Sequence, residues 1–174
     1  MKLLVLLPFW EYTSKMLTTI AEVYESGRIC YISLNKPLAA PRPVLLEGHI
    51  DYGRFMVIDT VTRSVMPAAP SQENCVYVSA PNAFQEIQRK LAETLSKGKY
   101  SLVVFDSVST LLIFMKEDEC LSYLKKIGDT AEMFGCEALF TALEENLHKG
   151  LVERLNYFMD RTIDMTPEDD REQP

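Results

Sequence analysis

The sequence contains few of the residues that bind metals or build disulfide frameworks. Its 174 residues include only two histidines and four cysteines. The cysteines are widely spaced, without a C-x-x-C pair, at Cys30, Cys75, Cys120 and Cys136, and the histidines are His49 and His148. This spacing contains neither a recognisable zinc site nor a disulfide framework. We therefore expect buried free thiols in a reducing cytoplasm, and no metal.

Long apolar runs and an excess of basic charge are also missing. No apolar run approaches the roughly 20 residues that span a bilayer, so no membrane association is expected. The opening MKLLVLLP resembles a signal-peptide core but runs into Trp10 and Glu11 without a small-residue cleavage site, which predicts a first strand instead. The net charge of -7 argues against the basic face that binds nucleic acid. Neither a membrane nor nucleic acid is therefore an expected partner.

What the sequence does contain is an alternation of short apolar runs with helical apolar stripes. Strands are predicted at residues 3–7, 29–34, 55–61, 75–79, 101–105 and 136–142. Helices are predicted from Met16 to a cap at Gly27, from an N-cap at Asn82 to Gly98, over 117–134, and over 145–159. This alternation predicts an α/β fold, a three-layer sandwich with a mainly parallel central sheet and helices on both faces.

The length predicts a single domain over residues 1–165. Residues 36–43, KPLAAPRP, are a proline-rich connection that forms neither a regular helix nor a central strand. Residues 166–174 are polar and flanked by prolines, which predicts a flexible tail.

The most informative stretch is SLVVFDSVSTLLIF, residues 101–114. An apolar strand delivers Asp106 at its carboxyl end, followed at once by Ser107. Open α/β sheets bind ligands in the crevice at this edge. In proteins that handle phosphates, such an aspartate holds Mg²⁺ or orients its waters.

This strand and its D-S-x-S-x-L continuation resemble the Walker B region of RecA-superfamily ATPases, in particular the KaiC and RadA-like branch. The resemblance covers most of the chain, since the first strand and turn, ICYISLNKP, the D-S-V-S-T-L segment and CEALFTALEEN follow the KaiC-like order. FMVIDTVT and CVYVSAPNAF are similar to segments of archaeal KaiC-like proteins. The resemblance implies a RecA-like P-loop NTPase core and an archaeal source.

The phosphate loop of that family is degenerate here. A working G-x-x-x-x-G-K-[ST] loop needs glycines because its backbone N–H groups must turn inward around the phosphates. Aligning on Lys15 places Phe9 and Ser14 at the glycine positions and Met16 at the position of the Mg²⁺-binding hydroxyl. No glycine precedes Gly27, so no shift of register restores the loop.

The catalytic glutamate of the family is missing as well. In KaiC-like ATPases a glutamate follows the second strand and orients the attacking water. Here ISLNKP offers Asn35 and Lys36 instead, and a lysine cannot serve as a carboxylate base. Two independent requirements for ATP hydrolysis therefore fail together.

Each candidate residue also has a structural interpretation. Asp106 is expected to bond to Ser107 or to backbone N–H groups, and Lys15 is expected to be solvated. Asp59 is interpreted as a strand-end carboxylate, and Glu144 and Glu145 as a charged helix start.

The two histidines and one cluster of aromatic residues also need an interpretation. His148 is expected to be exposed, and His49 has no visible partner. Phe9, Trp10 and Tyr12 form an aromatic cluster that either plugs the vacated nucleotide site or forms a docking patch.

The leading hypothesis is a non-catalytic KaiC-like protein, a pseudo-ATPase that acts through protein contacts. The resemblance implies a regulatory or signalling role, and a homo-oligomer or a complex with an active ATPase paralogue. No cofactor is expected under this hypothesis.

The alternative is an atypical protein that binds ATP or ADP with Mg²⁺, or a weak ATPase, using Ser14, Lys15, Asp106 and Ser107, with the metal at Asp106. A third hypothesis, an unrelated small-molecule enzyme, would need a large open pocket, and no Ser-His-Asp or Cys-His constellation supports it. A first turn filled by aromatic side chains would count against both alternatives.

Overall fold

The strands are apolar on both faces, which makes the sheet the middle layer of the protein. The computed structural model describes residues 1–24, 26–37 and 51–166. Seven strands in these ranges form one sheet: Lys2–Leu7 (β1), Ile29–Ser33 (β2), Phe55–Asp59 (β3), Cys75–Tyr77 (β4), Leu102–Asp106 (β5), Glu137–Leu143 (β6) and Arg161–Asp164 (β7). The strand order is β4-β3-β2-β5-β6-β1-β7, and every neighbouring pair is parallel. The predicted mainly parallel α/β sheet is thus confirmed.

Helices cover both faces of the sheet. Their bounds are Tyr12–Val23 (α1), Thr62–Val65 (α2), Phe84–Lys97 (α3), Val108–Phe114 (α4), Glu117–Met133 (α5) and Lys149–Leu155 (α6). Met16 and Ile20 of α1 pack with Leu3 and Val5 of β1 on one face. The opposite face packs against α3, α4, α5 and α6. Alternate side chains of each central strand therefore enter two separate cores.

The strand register brings the polar ends of the central strands together. Ser33 at the end of β2 is the partner of Asp106 at the end of β5, and Asp106 is the partner of Thr141 in β6. Thr141 is in turn the partner of Val5 in β1. The turns that follow these four strands therefore meet at one edge of the sheet, where such folds bind ligands.

The fourth predicted helix is shorter than expected. Instead of one helix over 145–159, a 3₁₀ helix at Glu144–Asn146 precedes α6. The chain is extended at Leu147 and His148, which buries Leu147, and His148 Nδ1 accepts a hydrogen bond from Leu151 N at 3.2 Å. This side-chain cap starts a new helix, so the continuous helix predicted there is wrong.

Two helix caps in the structure also differ from those predicted. The residue before α3 is Ala83, without a side-chain cap, and not Asn82; Glu86 in the first turn of that helix bonds to Ser79 instead. Helix α1 ends at Val23 with Tyr24 as its C-cap. Gly27 lies beyond it with φ +94°, where a Cβ would be 2.0 Å from Ser101 Oγ.

Strand β7 was not predicted from the sequence. Its residues are partly exposed at the sheet edge, and an edge strand without a buried face has no strong apolar pattern. The predicted strand over 55–61 ends at Asp59, because the Asp59 side chain accepts hydrogen bonds from the backbone N–H groups of Val61 and Thr62.

Several predictions fall outside the described residues. They concern most of the proline-rich connection, His49, and the tail beyond Thr166. Within the described ranges, none of the helices combines the length and the apolar character that crossing a bilayer requires. The four cysteines are free thiols; Cys30, Cys120 and Cys136 are buried and Cys75 is half-buried.

Candidate functional site

The three residues of the predicted aromatic cluster, in the turn after β1 and at the start of α1, differ in their exposure to solvent. Phe9 is 57% exposed and Trp10 is 90% exposed, with their rings edge to face at 5.2 Å. Tyr12, the first residue of α1, is buried beneath them. The cluster therefore has one member in the core and two at the surface.

Tyr12 points at Asp106, which is completely buried at the end of β5. Asp106 Oδ1 accepts hydrogen bonds from the Tyr12 hydroxyl at 2.5 Å and from Thr141 Oγ1 at 3.1 Å, and Oδ2 accepts one from the Tyr31 hydroxyl. The expectation that Ser107 or backbone N–H groups bind this carboxylate is wrong, because hydroxyls from α1, β2 and β6 converge on it. The peptide bond from Asp106 to Ser107 is cis.

The two tyrosines that bind Asp106 stay protonated. Burial raises the pKa of Tyr12 and of Tyr31 well above the ordinary value, and the negative charge of Asp106 raises both further. Each phenol therefore acts as a hydrogen-bond donor to the carboxylate at neutral pH. Both carboxylate oxygens are occupied by protein groups, and neither faces solvent.

Lys15 lies on the other side of α1. Its ammonium donates to the backbone oxygen of Met165 at 3.0 Å and forms an ion pair with Glu11 Oε2 at 3.0 Å. The side chain is only 25% exposed, so the expectation of a solvated lysine is wrong. Through this hydrogen bond Lys15 connects helix α1 to the chain just after β7. It does not line the open cleft described below.

The two predicted serines do face that cleft. Ser14 lines it, with its Oγ donating to Glu11 O at 3.0 Å. Ser107 also lines it and caps α4, since its Oγ accepts from Thr110 N at 3.2 Å. Of the four residues predicted to contact a nucleotide, the structure thus places Ser14 and Ser107 at the cleft, and Lys15 and Asp106 away from it.

The cleft has a volume of about 590 Å³ and lies at the carboxyl edge of β1, β2, β5 and β6. Its walls are the turn after β1 with the start of α1, the residues after β2, and the first turns of α4. Apolar groups come from Phe9, Trp10, Ile113 and Leu143. Phe9 and Trp10 stand at the wall of this cleft and leave it open, whereas Tyr12 of the same cluster is buried against Asp106.

Among the residues that the structure describes at this cleft, Lys36 is the cation. It follows β2, and its ammonium donates to Thr13 Oγ1 at 2.5 Å and lies 5.3 Å from the centre of the Tyr12 ring. Asn35 beside it also lines the cleft. Asn35 and Lys36, the two residues expected from the sequence at the position of the glutamate, therefore lie at the cleft, and they bring an amide and a positive charge to it.

The remaining candidates lie elsewhere. Asp59 is buried and bonds to the backbone of the next turn, as a strand-end carboxylate does. Glu144 and Glu145 begin the 3₁₀ helix, as interpreted from the sequence, and neither lines the cleft. His148 is 63% exposed, which confirms the prediction, and it lies 2.8 Å from Glu117. Within the described ranges no group of three or more His, Cys, Asp or Glu residues is arranged to hold a metal.

The partners of Asp106 and the position of Lys36 at the cleft were not predicted from the sequence. Tyr31 and Thr141 lie inside apolar strand segments, where no pattern distinguishes them from ordinary core residues. For Lys36 the sequence indicates only that a lysine cannot serve as a carboxylate base. Its position directly after a strand that ends at the ligand edge was a usable signal.

Solved structures have the same fold at low sequence identity. A KaiC-like protein from the hyperthermophilic archaeon Pyrococcus horikoshii superposes with a TM-score of 0.64 and 14% identity, covering 96% of this chain and 73% of that one. An uncharacterised protein from the same organism, solved in complex with an unknown peptide, gives a TM-score of 0.68 and 12% identity, covering 94% and 76%. The chain therefore has a KaiC-like, RecA-like fold.

Sequence comparison adds a family. None of the curated proteins compared with the chain matches it. A family model matches residues 45–172, a range that includes Asp106 and Ser107 but begins after Ser14, Lys15 and Lys36. The chain belongs to this family, which is described as a family of unknown function, DUF7090.

Proposed function

We propose that this protein is a non-catalytic KaiC-like domain, a pseudo-ATPase with a degenerate Walker A motif that acts through contacts with other proteins. One observation carries the proposal: the Asp106 carboxylate is completely buried and both of its oxygens accept hydrogen bonds from Tyr12, Tyr31 or Thr141. An aspartate that assists Mg²⁺ must present an oxygen to the metal or to its waters. Here that oxygen would first have to lose a buried phenol partner.

The turn after β1 supports the same conclusion. Phosphate binding in this fold uses backbone N–H groups of a glycine-rich loop and a lysine that reaches the phosphates. The turn from Pro8 to Glu11 contains no glycine, and Lys15 is held by Met165 O and Glu11. The alternative, in which Lys15 and Asp106 bind nucleotide, would require both side chains to leave their present partners.

Exposed apolar side chains support action through protein contacts. Phe9, Trp10 and Ile113 are 57%, 90% and 77% exposed at the mouth of the cleft. Aromatic side chains in such positions are enriched at protein interfaces. We infer that this surface contacts a second copy of the chain or an active ATPase paralogue in a regulatory or signalling complex in an archaeal cytoplasm.

Calorimetric titration with ATP and ADP, with and without Mg²⁺, tests the loss of catalysis. We expect no Mg²⁺-dependent binding in the wild type and no phosphate release on prolonged incubation. Asp106→Asn and Lys15→Ala should behave like the wild type. Micromolar Mg²⁺-dependent ATP binding that both substitutions abolish would overturn the proposal.

Protein contact is tested separately by sedimentation velocity of the wild type and of Trp10→Ser. A self-associating wild type should become monomeric in this variant, with Tyr157→Ser, at another site that is 90% exposed, as the matched control. If the wild type is monomeric, the same pair of variants is used to capture partners from an archaeal lysate. Equal behaviour of the two variants in both experiments would contradict a contact role for this surface.

A further inference from the structure

The cleft combines three features that a binding site for small molecules needs. It is open and has a volume of about 590 Å³, within the range of ligand pockets. One wall is apolar and partly aromatic, from Phe9, Trp10 and Ile113. Another part of the lining is polar, with Asn35 and Lys36 after β2.

The charge in the cleft comes from Lys36. Its ammonium has three N–H donors, and among residues 1–24, 26–37 and 51–166 its hydrogen-bond acceptor is Thr13 Oγ1. That acceptor is neutral, so within these ranges no hydrogen-bond partner of Lys36 neutralises its positive charge. The Tyr12 ring under the ammonium fixes its position through a cation–π contact.

Hydroxyl and amide groups surround the same space. Ser14, Ser107 and Thr110 line the cleft beside Asn35 and Asn146. These side chains supply neutral donors and acceptors without adding a negative charge. Glu11 is the one carboxylate among the described residues that line the cleft, and it is paired with Lys15.

We infer that this cleft binds a small organic anion, one with a single carboxylate or phosphate group attached to a planar apolar part. Lys36 binds the anionic group, and Phe9 and Trp10 contact the planar part. No metal ion takes part, because Asp106 is enclosed and Lys36 supplies the charge. This inference goes beyond the proposed function, since it concerns a ligand that neither the Walker A lysine nor Mg²⁺ holds.

Trp10 provides a direct measurement, because it is the only tryptophan in the chain and lies at the cleft wall. Phenyl phosphate, benzoate, inorganic phosphate and phenol are titrated without metal while Trp10 fluorescence is recorded, and calorimetry repeats each titration. Phenyl phosphate or benzoate should bind saturably. Inorganic phosphate and phenol should each bind at least about tenfold more weakly, because each satisfies only half of the site. The better of the two aromatic anions identifies the anionic group as phosphate or carboxylate.

The matched variants are Lys36→Met and Lys97→Met, because Lys97 is an exposed lysine at the end of α3 that does not line the cleft. We expect Lys36→Met to weaken binding of the aromatic anion at least about tenfold and Lys97→Met to change it less than about twofold. Circular dichroism and thermal unfolding of both variants verify that each is folded. Lys36→Arg, which retains the charge, should restore most of the affinity.

Three results would overturn the inference. They are no saturable signal up to about 10 mM of either aromatic anion, equal effects of the two lysine substitutions, and binding of phenol as tight as that of phenyl phosphate. These outcomes are independent of the proposed loss of ATP hydrolysis, which is tested with Mg²⁺ and Asp106→Asn.

Discussion

The hydroxyl oxygen of Tyr12 lies 2.5 Å from Oδ1 of Asp106, so the first residue of α1 is bonded to the last residue of β5. The same hydroxyl lies 2.7 Å from Thr141 Oγ1. A buried carboxylate is costly unless its oxygens are hydrogen-bonded. Tyr12 therefore stabilises the aspartate by satisfying one of its two oxygens.

Removing this hydroxyl should destabilise the protein. Tyr12→Phe keeps the ring but leaves Asp106 with Tyr31 and Thr141 as partners. We expect a loss of about 1–3 kcal/mol in the free energy of unfolding, measured by urea denaturation at pH 7. The control is Tyr157→Phe, whose side chain is 90% exposed and should change stability by less than about 0.5 kcal/mol. Equal stability of the two variants would show that the contact with Asp106 contributes nothing.

Lys15 should contribute to the stability of the fold and not to ligand binding. Lys15→Ala removes the hydrogen bond to Met165 O and the ion pair with Glu11. We expect a loss of about 0.5–1.5 kcal/mol in urea denaturation and faster proteolysis of the segment after β7, because α1 no longer binds it. Lys149→Ala, at an exposed position of α6, is the control. An unchanged proteolysis pattern in Lys15→Ala would argue against a stabilising contact between Lys15 and the segment after β7.

Two glycines should respond differently to alanine. Gly27 has φ +94° and a Cβ there would overlap Ser101 Oγ, whereas Gly135 has φ +72° with open space around it. Gly135→Ala tests backbone strain alone and should cost about 1–2 kcal/mol. Gly27→Ala adds the overlap and should cost more in the same denaturation measurement. A smaller loss at Gly27 would mean that the Ser101 side chain rotates away without cost.

Stability should fall steeply in alkaline solution. The folded-state pKa values of Tyr12 and Tyr31 are raised well above the ordinary value near 10. Above pH 10 the unfolded chain therefore loses protons that the folded protein keeps, so the free energy of unfolding decreases as pH rises. Each such tyrosine contributes a slope of about 1.4 kcal/mol per pH unit once its unfolded form is ionised.

Urea denaturation between pH 8 and pH 11 measures this slope. The double variant Tyr12→Phe/Tyr31→Phe should have a shallower decline than the wild type, because two of the buried phenols no longer titrate. Tyr157→Phe, at a position that is 90% exposed, is the control. A double variant with the wild-type slope would mean that these two phenols ionise equally in both states.

Much of the fold was predictable because the central strands are covered on both faces. LLVLL and LVVF are apolar at successive positions, and this pattern comes directly from burial under two helical layers. Strand β7 and the break at Leu147 and His148 were not predictable in the same way. They depend on an edge position and on one local cap, and neither leaves a periodic apolar pattern.

The candidate site was predictable only in part. The sequence placed Ser14 and Ser107 near the carboxyl edge because they directly follow motifs of known position. It did not indicate that Lys15 faces β7, since one turn of helix is enough to direct neighbouring side chains to opposite sides. It also did not indicate that Asp106 is enclosed, since its partners come from residues 94, 75 and 35 positions away.

By itself, the sequence determined the layered α/β architecture, the missing glycines of the first turn and the absence of a glutamate after β2. These are properties of chemical type and of local spacing, which the order of residues states directly. Only the tertiary structure decided that Asp106 is buried and hydrogen-bonded by hydroxyl groups, and that Lys36, not Lys15, supplies the positive charge in an open cleft. The physical reason is that direction and burial of a side chain depend on which distant segments pack against it, and this is set by the strand register of the whole sheet.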